Sequence, residues 1–479
     1  MGLHNFSVYT LYPLIYCNVL VNFITLFFMI TISFGVFLFS SKSWILKNLG
    51  NSTLTTFVYF NVLVVALLFV LKFYISYNIT ITYSEAATTA SSLFSDTLVL
   101  LAIVVTFVSW YYLSERFLFR SSFFIIYFFV FVFCTVNMVY TTNLLVMFIF
   151  FELIFLPSLF FVYRFGYSKR VEKTINFLLL WTLTGSFIAL FTFLYIMACC
   201  KSLELTTLNM VKFSYLEQTF ISLFFFIGFG IKIPVWPFHY WLTKVHVEAP
   251  TGFSIFLSGF LVKTAFFCFS YVYIIFTNKV ATLVCVSIVV WGALDSSIRM
   301  WTSNDIKRLI AFATIQEMNL ILLFLLLNSN SNFNVLNIFL LMHGLLSAFL
   351  FYLVDNVQKR FQSRNLVTLS GLSSLSPQLH TFIWCGILIF RGFPLFIKLV
   401  IEWELLTSLL TAFEFLGFFI FFVISFLGVT GFCRIWFSVL YGQPTVVVSG
   451  GVDILRKDLY IGYFLIISLS LLNFIAFLF

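Results

Sequence analysis

The stretch GFGIKIPVWPFHYWLTKVHVEAPTGFSIFLSGFLVK (228–263) decides how this chain is to be read. It joins two consecutive apolar runs and sets a lysine near the middle of each, Lys232 and Lys263, with Pro234 and Pro237 directly after the first. A charge at the centre of a bilayer costs roughly 2.5–3.5 kcal/mol on insertion scales, so lysines at that depth require a hydrated or paired environment. The bilayer context follows from composition. Hydrophobic residues make up 62% of the 479 and charged residues only 9%, outside the mix of a soluble globular domain. The chain reads as an all-α polytopic membrane protein.

Counting runs of about 20 apolar residues predicts about fourteen transmembrane helices, near 11–39, 56–75, 93–113, 119–139, 143–164, 174–198, 218–241, 250–276, 280–300, 305–327, 335–356, 378–410, 412–440 and 458–479. The first of these is far longer than the apolar core of a signal peptide and lacks a basic flank, so it reads as a retained span. Connections are short, which leaves no room for a soluble domain; a redox cofactor or nucleotide site belongs to partner chains.

The net charge of +9 is informative through its distribution. If the spans alternate, Lys42/Lys47, Arg164/Lys169/Arg170/Lys173, Lys244, Arg299/Lys307/Arg308, Lys359/Arg360/Arg364 and Arg456/Lys457 fall on one face, against Lys201, Lys212 and Lys279 on the other. That asymmetry predicts an even number of spans, with both termini on the less basic face. No basic groove interleaved with aromatics appears, so nucleic acid is excluded as a partner and lipid is expected around the bundle. The eight cysteines are scattered, without CxxC or Cys/His spacing, so metal, haem and iron–sulfur sites have no support in this chain. The 70 phenylalanines suit an AT-rich coding genome such as an organelle's.

Glu152, Lys232, Lys263, Glu317 and His343 each fall within a few residues of a span centre, and Glu402 does so in the second half of its long span. An acid, bases and a histidine at one depth in successive spans suggest a polar axis running sideways through the bundle. Each also has a bland reading. Glu152 could bridge helices by hydrogen bonding, His343 could bond a neighbouring carbonyl, and Lys398 stands one turn before Glu402, where an i,i+4 ion pair is an alternative. His239, His246 and Glu248 read as a span end and a loop, either gating or solvated.

Prolines mark the same places. Pro234 and Pro237 follow Lys232, and Pro394 precedes Glu402, which predicts helices broken at spans seven and twelve where ionisable side chains sit. Transporters place such interruptions at corresponding points of two inverted repeats. A repeat relating spans four to eight to spans nine to thirteen pairs the Lys232 span with that of Glu402, and the Glu152 span with that of Glu317. The implied organisation is 1–118 N-terminal helices, 119–276 first repeat, 280–440 second repeat, and 441–479 a loop and last helix.

The runs KIPVWPFHYWLTKVHVEAPTGFSIFLSGFLVKTAF (232–266), FELIFLPSLF (151–160), DIKRLIAFATIQEMNLI (305–321) and HGLLSAFLFYLVD (343–355) resemble the antiporter-like, proton-pumping membrane subunits of respiratory complex I, over roughly 140–410. The resemblance implies fourteen helices with two inverted five-helix repeats in the membrane arm of an NADH:ubiquinone reductase of the mitochondrial inner membrane. NADH, FMN, iron–sulfur clusters and ubiquinone are then expected in partner subunits, with other membrane-arm and accessory subunits as neighbours. It also implies roles: Glu152 and Lys232 as a coupling ion pair, Lys263 as the central relay lysine, His343 as the next station and Glu402 as the terminal acid. The chain departs from the family pattern at Glu317, where many relatives have histidine, and in PLFIKLVIEWE (394–404), which adds Lys398 and lacks the glycine-rich approach to the terminal glutamate.

Other readings compete. A subunit of a multisubunit cation/proton antiporter would use the same lysines, and a scaffold would hold them inert. A quinone-binding redox subunit lacks cofactor ligands. Moving one proton against about 200 mV costs about 4.6 kcal/mol, a demand that a buried, switchable ion pair meets and a screened surface lysine does not.

Overall fold

The computed structural model describes residues 96–106, 108–109, 121–166, 171–208, 211, 213–276, 278–328, 333–394, 396–443, 453–454 and 456–476. The spans expected near 11–39 and 56–75, and both ends of that near 93–113, lie outside them. The described chain is helical. After Asp96–Thr106 (α1) come Ser121–Tyr140 (α2), Leu144–Phe165 (α3), Val171–Cys200 (α4), Tyr215–Gly230 (α5) and Tyr240–Glu248 (α6). Then Thr251–Phe256 continues through a π turn, Leu257–Leu261, into Val262–Ile275, together α7. Lys279–Thr302 (α8), Ile306–Leu327 (α9), Phe333–Phe361 (α10), Pro377–Phe390 (α11), Lys398–Leu440 (α12) and Arg456–Ala476 (α13) follow. α12 is two helices merged across a kink at Glu414 (φ 49°, ψ −131°).

Among the described residues, seven helices are long and apolar enough to cross a membrane. α5 and α11 are apolar but short. With 16 residues, α5 rises about 24 Å, less than a hydrocarbon core of roughly 30 Å. Both breaks fall where the prolines predict: Ile231–His239 separates α5 from α6, and 391–397, containing Pro394, separates α11 from α12.

Helix ends are set by local chemistry. Asn143 caps α3 by accepting from the Leu145 amide at 3.0 Å, Asp305 caps α9 through Lys307 N at 2.8 Å, and Ser214 with Glu217 forms a capping box on α5; each satisfies amides that a helix start leaves free. Two isolated backbone bridges, Asn143 with Glu204 and Asp305 with Asn365, tie the starts of α3 and α9 to the loops after α4 and α10.

The interior is set by α9 and α10, which are buried along almost their whole length, whereas α4 and α12 expose an apolar face. Two crossings depend on glycine. A Cβ on Gly185 would lie 2.7 Å from the Gly228 carbonyl, and one on Gly344 would lie 3.0 Å from the Gly259 carbonyl. Small residues let helix backbones approach this closely, and the crossings bring α4 against α5 and α10 against the π turn of α7.

Basic residues gather at one end of the bundle. Arg299 bonds the Tyr240 hydroxyl at 2.7 Å, Lys307 the Ala249 carbonyl at 2.6 Å, and Arg364 the Val247 carbonyl at 2.6 Å. Lys244 lies 3.8 Å over the Phe177 ring.

Candidate functional site

Lys232 is placed by the break after α5. The chain turns at Ile231–His239 through bonds such as Val235 N to Gly230 O at 2.9 Å, and Trp241 Nε1 donates to the Ile231 carbonyl at 2.7 Å, satisfying a group the broken helix leaves open. The Lys232 ammonium donates to Glu152 Oε1 and to Ser186 Oγ at 2.9 Å. It also sits 4.3 Å from the Phe151 ring centre and 4.8 Å from that of Phe155. Lys232 is 1% exposed and the Glu152 side chain 28%. Pairing, a hydroxyl and two ring faces together compensate the desolvation of the ammonium. Ser186 follows Gly185 at the α4–α5 crossing, so the same close approach that packs the helices delivers the hydroxyl.

Lys263 is completely buried, and its ammonium donates to the carbonyl of Ser258 within the π turn. A π turn shifts the helical ladder and frees a carbonyl for a side chain. Across the glycine crossing stands His343, 2% exposed, with neither ring nitrogen bonded to a described protein group. Lys263 is within electrostatic reach of Glu317, and His343 of both Lys263 and Lys398.

A second charged group lies between α9, α11 and α12. Lys398 Nζ is 2.5 Å from Glu317 Oε1 and 3.6 Å from Glu402 Oε1, and it donates to the Phe390 carbonyl, which the end of α11 leaves without a helical partner. Its ammonium lies 4.2 Å from the Phe390 ring centre. A cavity of about 20 Å³ is lined by all three charged side chains together with Gln316, Phe421 and Ser425. That is room for one water molecule.

Every site residue anticipated from sequence is therefore described: Glu152 contacts Lys232, Glu317 and Glu402 contact Lys398, and Lys263 and His343 lie on the two helices that meet at the Gly259–Gly344 crossing. Pro234, Pro237 and Pro394 lie in the breaks. The i,i+4 contact of Lys398 with Glu402 exists, but the shorter contact is to Glu317. Of the two readings of the histidines after the first break, the solvated one is overturned. His239 and His246 are fully buried instead of lying in a solvated connection: His239 Nε2 is 3.3 Å from Asp295 Oδ2, and His246 stacks on Phe351 at 4.7 Å. Sequence reasoning passed over Ser186, which carries no signal, and did not place Lys398 in the site, although a lysine inside an apolar run is such a signal.

A bundle of apolar helices, two of them broken beside ion pairs with a buried lysine, defines an integral membrane protein of antiporter-like fold. The chain belongs to the NADH:quinone oxidoreductase/Mrp antiporter transmembrane family, whose profile matches residues 141–428. It is 35% identical over 356 residues to NADH-ubiquinone oxidoreductase chain 4 of Paramecium tetraurelia, covering 74% of this chain and 75% of that one. Among solved structures it superposes on the Mrp complex from Dietzia sp. DQ12-45-1b with a TM-score of 0.70 at 18% identity, over 81% of each chain. It superposes on respiratory complex I from Thermus thermophilus with bound NADH at a TM-score of 0.68 and 21% identity, over 80% of each chain. These two likenesses concern the fold.

Proposed function

We propose that this chain is a proton-translocating membrane-arm subunit of a respiratory NADH:ubiquinone oxidoreductase, multi-pass in the mitochondrial inner membrane. The observation that carries the reading is the pairing of the buried Lys232 with the partly buried Glu152 at a proline-broken helix, followed by the buried Lys263. The similarity to the Paramecium chain 4 supports the choice of complex. On this reading NADH, FMN, iron–sulfur clusters and ubiquinone belong to partner subunits, other membrane-arm and accessory subunits flank the bundle, and the basic end faces the matrix.

The working fold is fourteen helices with two inverted five-helix repeats. It is supported by the order of the described elements: α2 to α7 and α8 to α12 each contain a capped second helix bridged to the loop after the third, and a broken fourth.

Glu152 holds the Lys232 ammonium while the two are paired. Withdrawal of Glu152, or its neutralisation, leaves an ammonium among aromatic rings, and its proton passes towards Lys263 along transient water. Breaking a buried ion pair costs about 3–5 kcal/mol, the same order as the roughly 4.6 kcal/mol needed per proton at about 200 mV. From Lys263 the route continues to His343 and the Glu317–Lys398–Glu402 group.

The test is NADH-driven proton translocation in vesicles carrying the complex with Lys263→Ala. A lower proton-to-electron ratio with the complex assembled is expected, and an unchanged ratio refutes the relay. The likeness to the Mrp complex favours one second reading, a subunit of a multisubunit cation/proton antiporter. Sodium-dependent proton exchange without NADH or quinone would decide for it.

A further inference from the structure

Glu317 and Lys398 form a buried pair that parallels the first. Sequence separations are almost identical, 80 residues for Glu152 and Lys232 and 81 for Glu317 and Lys398. Helices α3 and α9, which carry the acids, start at the two matching backbone bridges. Helices α5 and α11, which precede the breaks, follow at the same spacing in both halves. Measured from those starts, both members of the second pair stand about one helical turn further along than those of the first, so the pair has moved as a unit.

The second pair differs in having a third member. Lys398 has one carboxylate at 2.5 Å and another at 3.6 Å, with a cavity beside all three groups. Two carboxylates and one ammonium carry a net charge of −1 when all are ionised, and such a charge is costly in a buried site. The neutral arrangement has one carboxyl protonated. The two acids also differ in access: the side chain of Glu317 is 4% exposed and that of Glu402 24%.

We propose that Lys398 is a swinging counter-ion, permanently charged, that alternates between Glu317 and Glu402 and thereby couples protonation of one to deprotonation of the other. This deepens the proton-translocation reading and rests on it. In the starting state the Lys398 ammonium pairs with the Glu317 carboxylate, and Glu402 holds a proton. Glu402 loses that proton towards the outer face of the bundle, and the ammonium turns to the new carboxylate. Glu317, left without its counter-charge, takes a proton from the Lys263 and His343 side. The O–H bond of Glu317 then breaks as that of Glu402 forms, through one water in the cavity, and Lys398 returns. Over the cycle one proton enters and one leaves, and the net −1 state between the two transfers drives the uptake of the proton by Glu317.

A structural pair that merely neutralises two buried groups predicts a different outcome on removing both charges together. The experiment compares the complex carrying Glu317→Gln with Lys398→Met, the complex carrying Lys232→Met, and the unaltered complex, reading protons translocated per NADH oxidised in vesicles and assembly by native electrophoresis. The expected result is an assembled double variant whose ratio falls to that of Lys232→Met. A double variant at the unaltered ratio, with Lys232→Met lowered, overturns the swinging counter-ion and leaves the relay standing only from Glu152 and Lys232 to His343. Both at the unaltered ratio overturn the two readings together. Where the double variant does not assemble, Lys398→Arg decides in the same way. It keeps the charge but cannot swing in so small a cavity, so a lowered ratio supports the proposal and an unaltered one overturns it.

Discussion

Lys398 and Glu317 meet at 2.5 Å across 81 residues of sequence, so two charges buried on separate helices, α12 and α9, are partners. A carboxylate alone on the fully buried α9 would be an uncompensated charge, and so would a lysine alone at the start of α12. Together they are compensated. They place a second ion pair in the same bundle as Glu152 and Lys232.

Loss of one partner of the first pair is expected to cost more than loss of both. Glu152→Gln leaves the Lys232 ammonium with only Ser186 and two aromatic rings, and destabilises by about 3–5 kcal/mol. The addition of Lys232→Met recovers most of that. Thermal inactivation of the assembled complex measures both, and a double variant less stable than Glu152→Gln would show that the two side chains are not coupled.

Ser186→Ala removes a hydroxyl that accepts from Lys232 at 2.9 Å. A hydrogen bond to a charged group is worth about 1.5–3 kcal/mol, so the variant is expected to lose less stability than Glu152→Gln and to retain measurable proton translocation. A loss equal to that of Glu152→Gln would give the serine a larger role than the geometry assigns.

Widening the α7–α10 crossing should uncouple Lys263 from His343. A Cβ at position 344 would lie 2.6 Å from Leu101 Cδ2 and 3.0 Å from the Gly259 carbonyl, so Gly344→Val forces the helices apart, at about 1–3 kcal/mol for overpacking. The expected outcome is an assembled complex of lower thermal stability with a reduced proton-to-electron ratio. An unchanged ratio would show that proton transfer does not need this approach.

Orientation is open to labelling. Glu204 and Gln362 are exposed residues in the loops after α4 and α10. With Cys199 and Cys200 replaced by serine, Glu204→Cys is expected to react with an impermeant maleimide from the intermembrane side and Gln362→Cys from the matrix side. Reaction of both from one side would refute the alternation of spans; the reverse assignment would invert the bundle.

Much of the fold was legible because apolar runs in a membrane leave few choices: each spanning segment must satisfy its own backbone hydrogen bonds, so a run of sufficient length is a helix. The boundaries near 280–300 and 305–327 match α8 and α9 closely, and the prolines located both breaks. The π turn at Leu257–Leu261 was not legible, since LSGFL has nothing to distinguish it from an ordinary helical turn. Burial of His239 and His246 was hidden for a related reason. Their local sequence is that of a connection, and the neighbours that enclose them, Asp295 and Phe351, come from α8 and α10.

By itself the sequence determined that this is a helical membrane protein, where its helices break, and which ionisable residues lie in apolar surroundings, because the cost of burying charge and backbone acts on each segment locally. Which acid faces which base was decided only by tertiary structure. Helix crossings such as Gly185 against Gly228 and Gly259 against Gly344 set side chains about eighty or more residues apart within bonding or electrostatic range, and a pairing energy exists only at that range. For Lys398 the difference was decisive. Sequence spacing offered Glu402, one turn away, and the packing of α9 against α12 supplied Glu317 at the shorter distance.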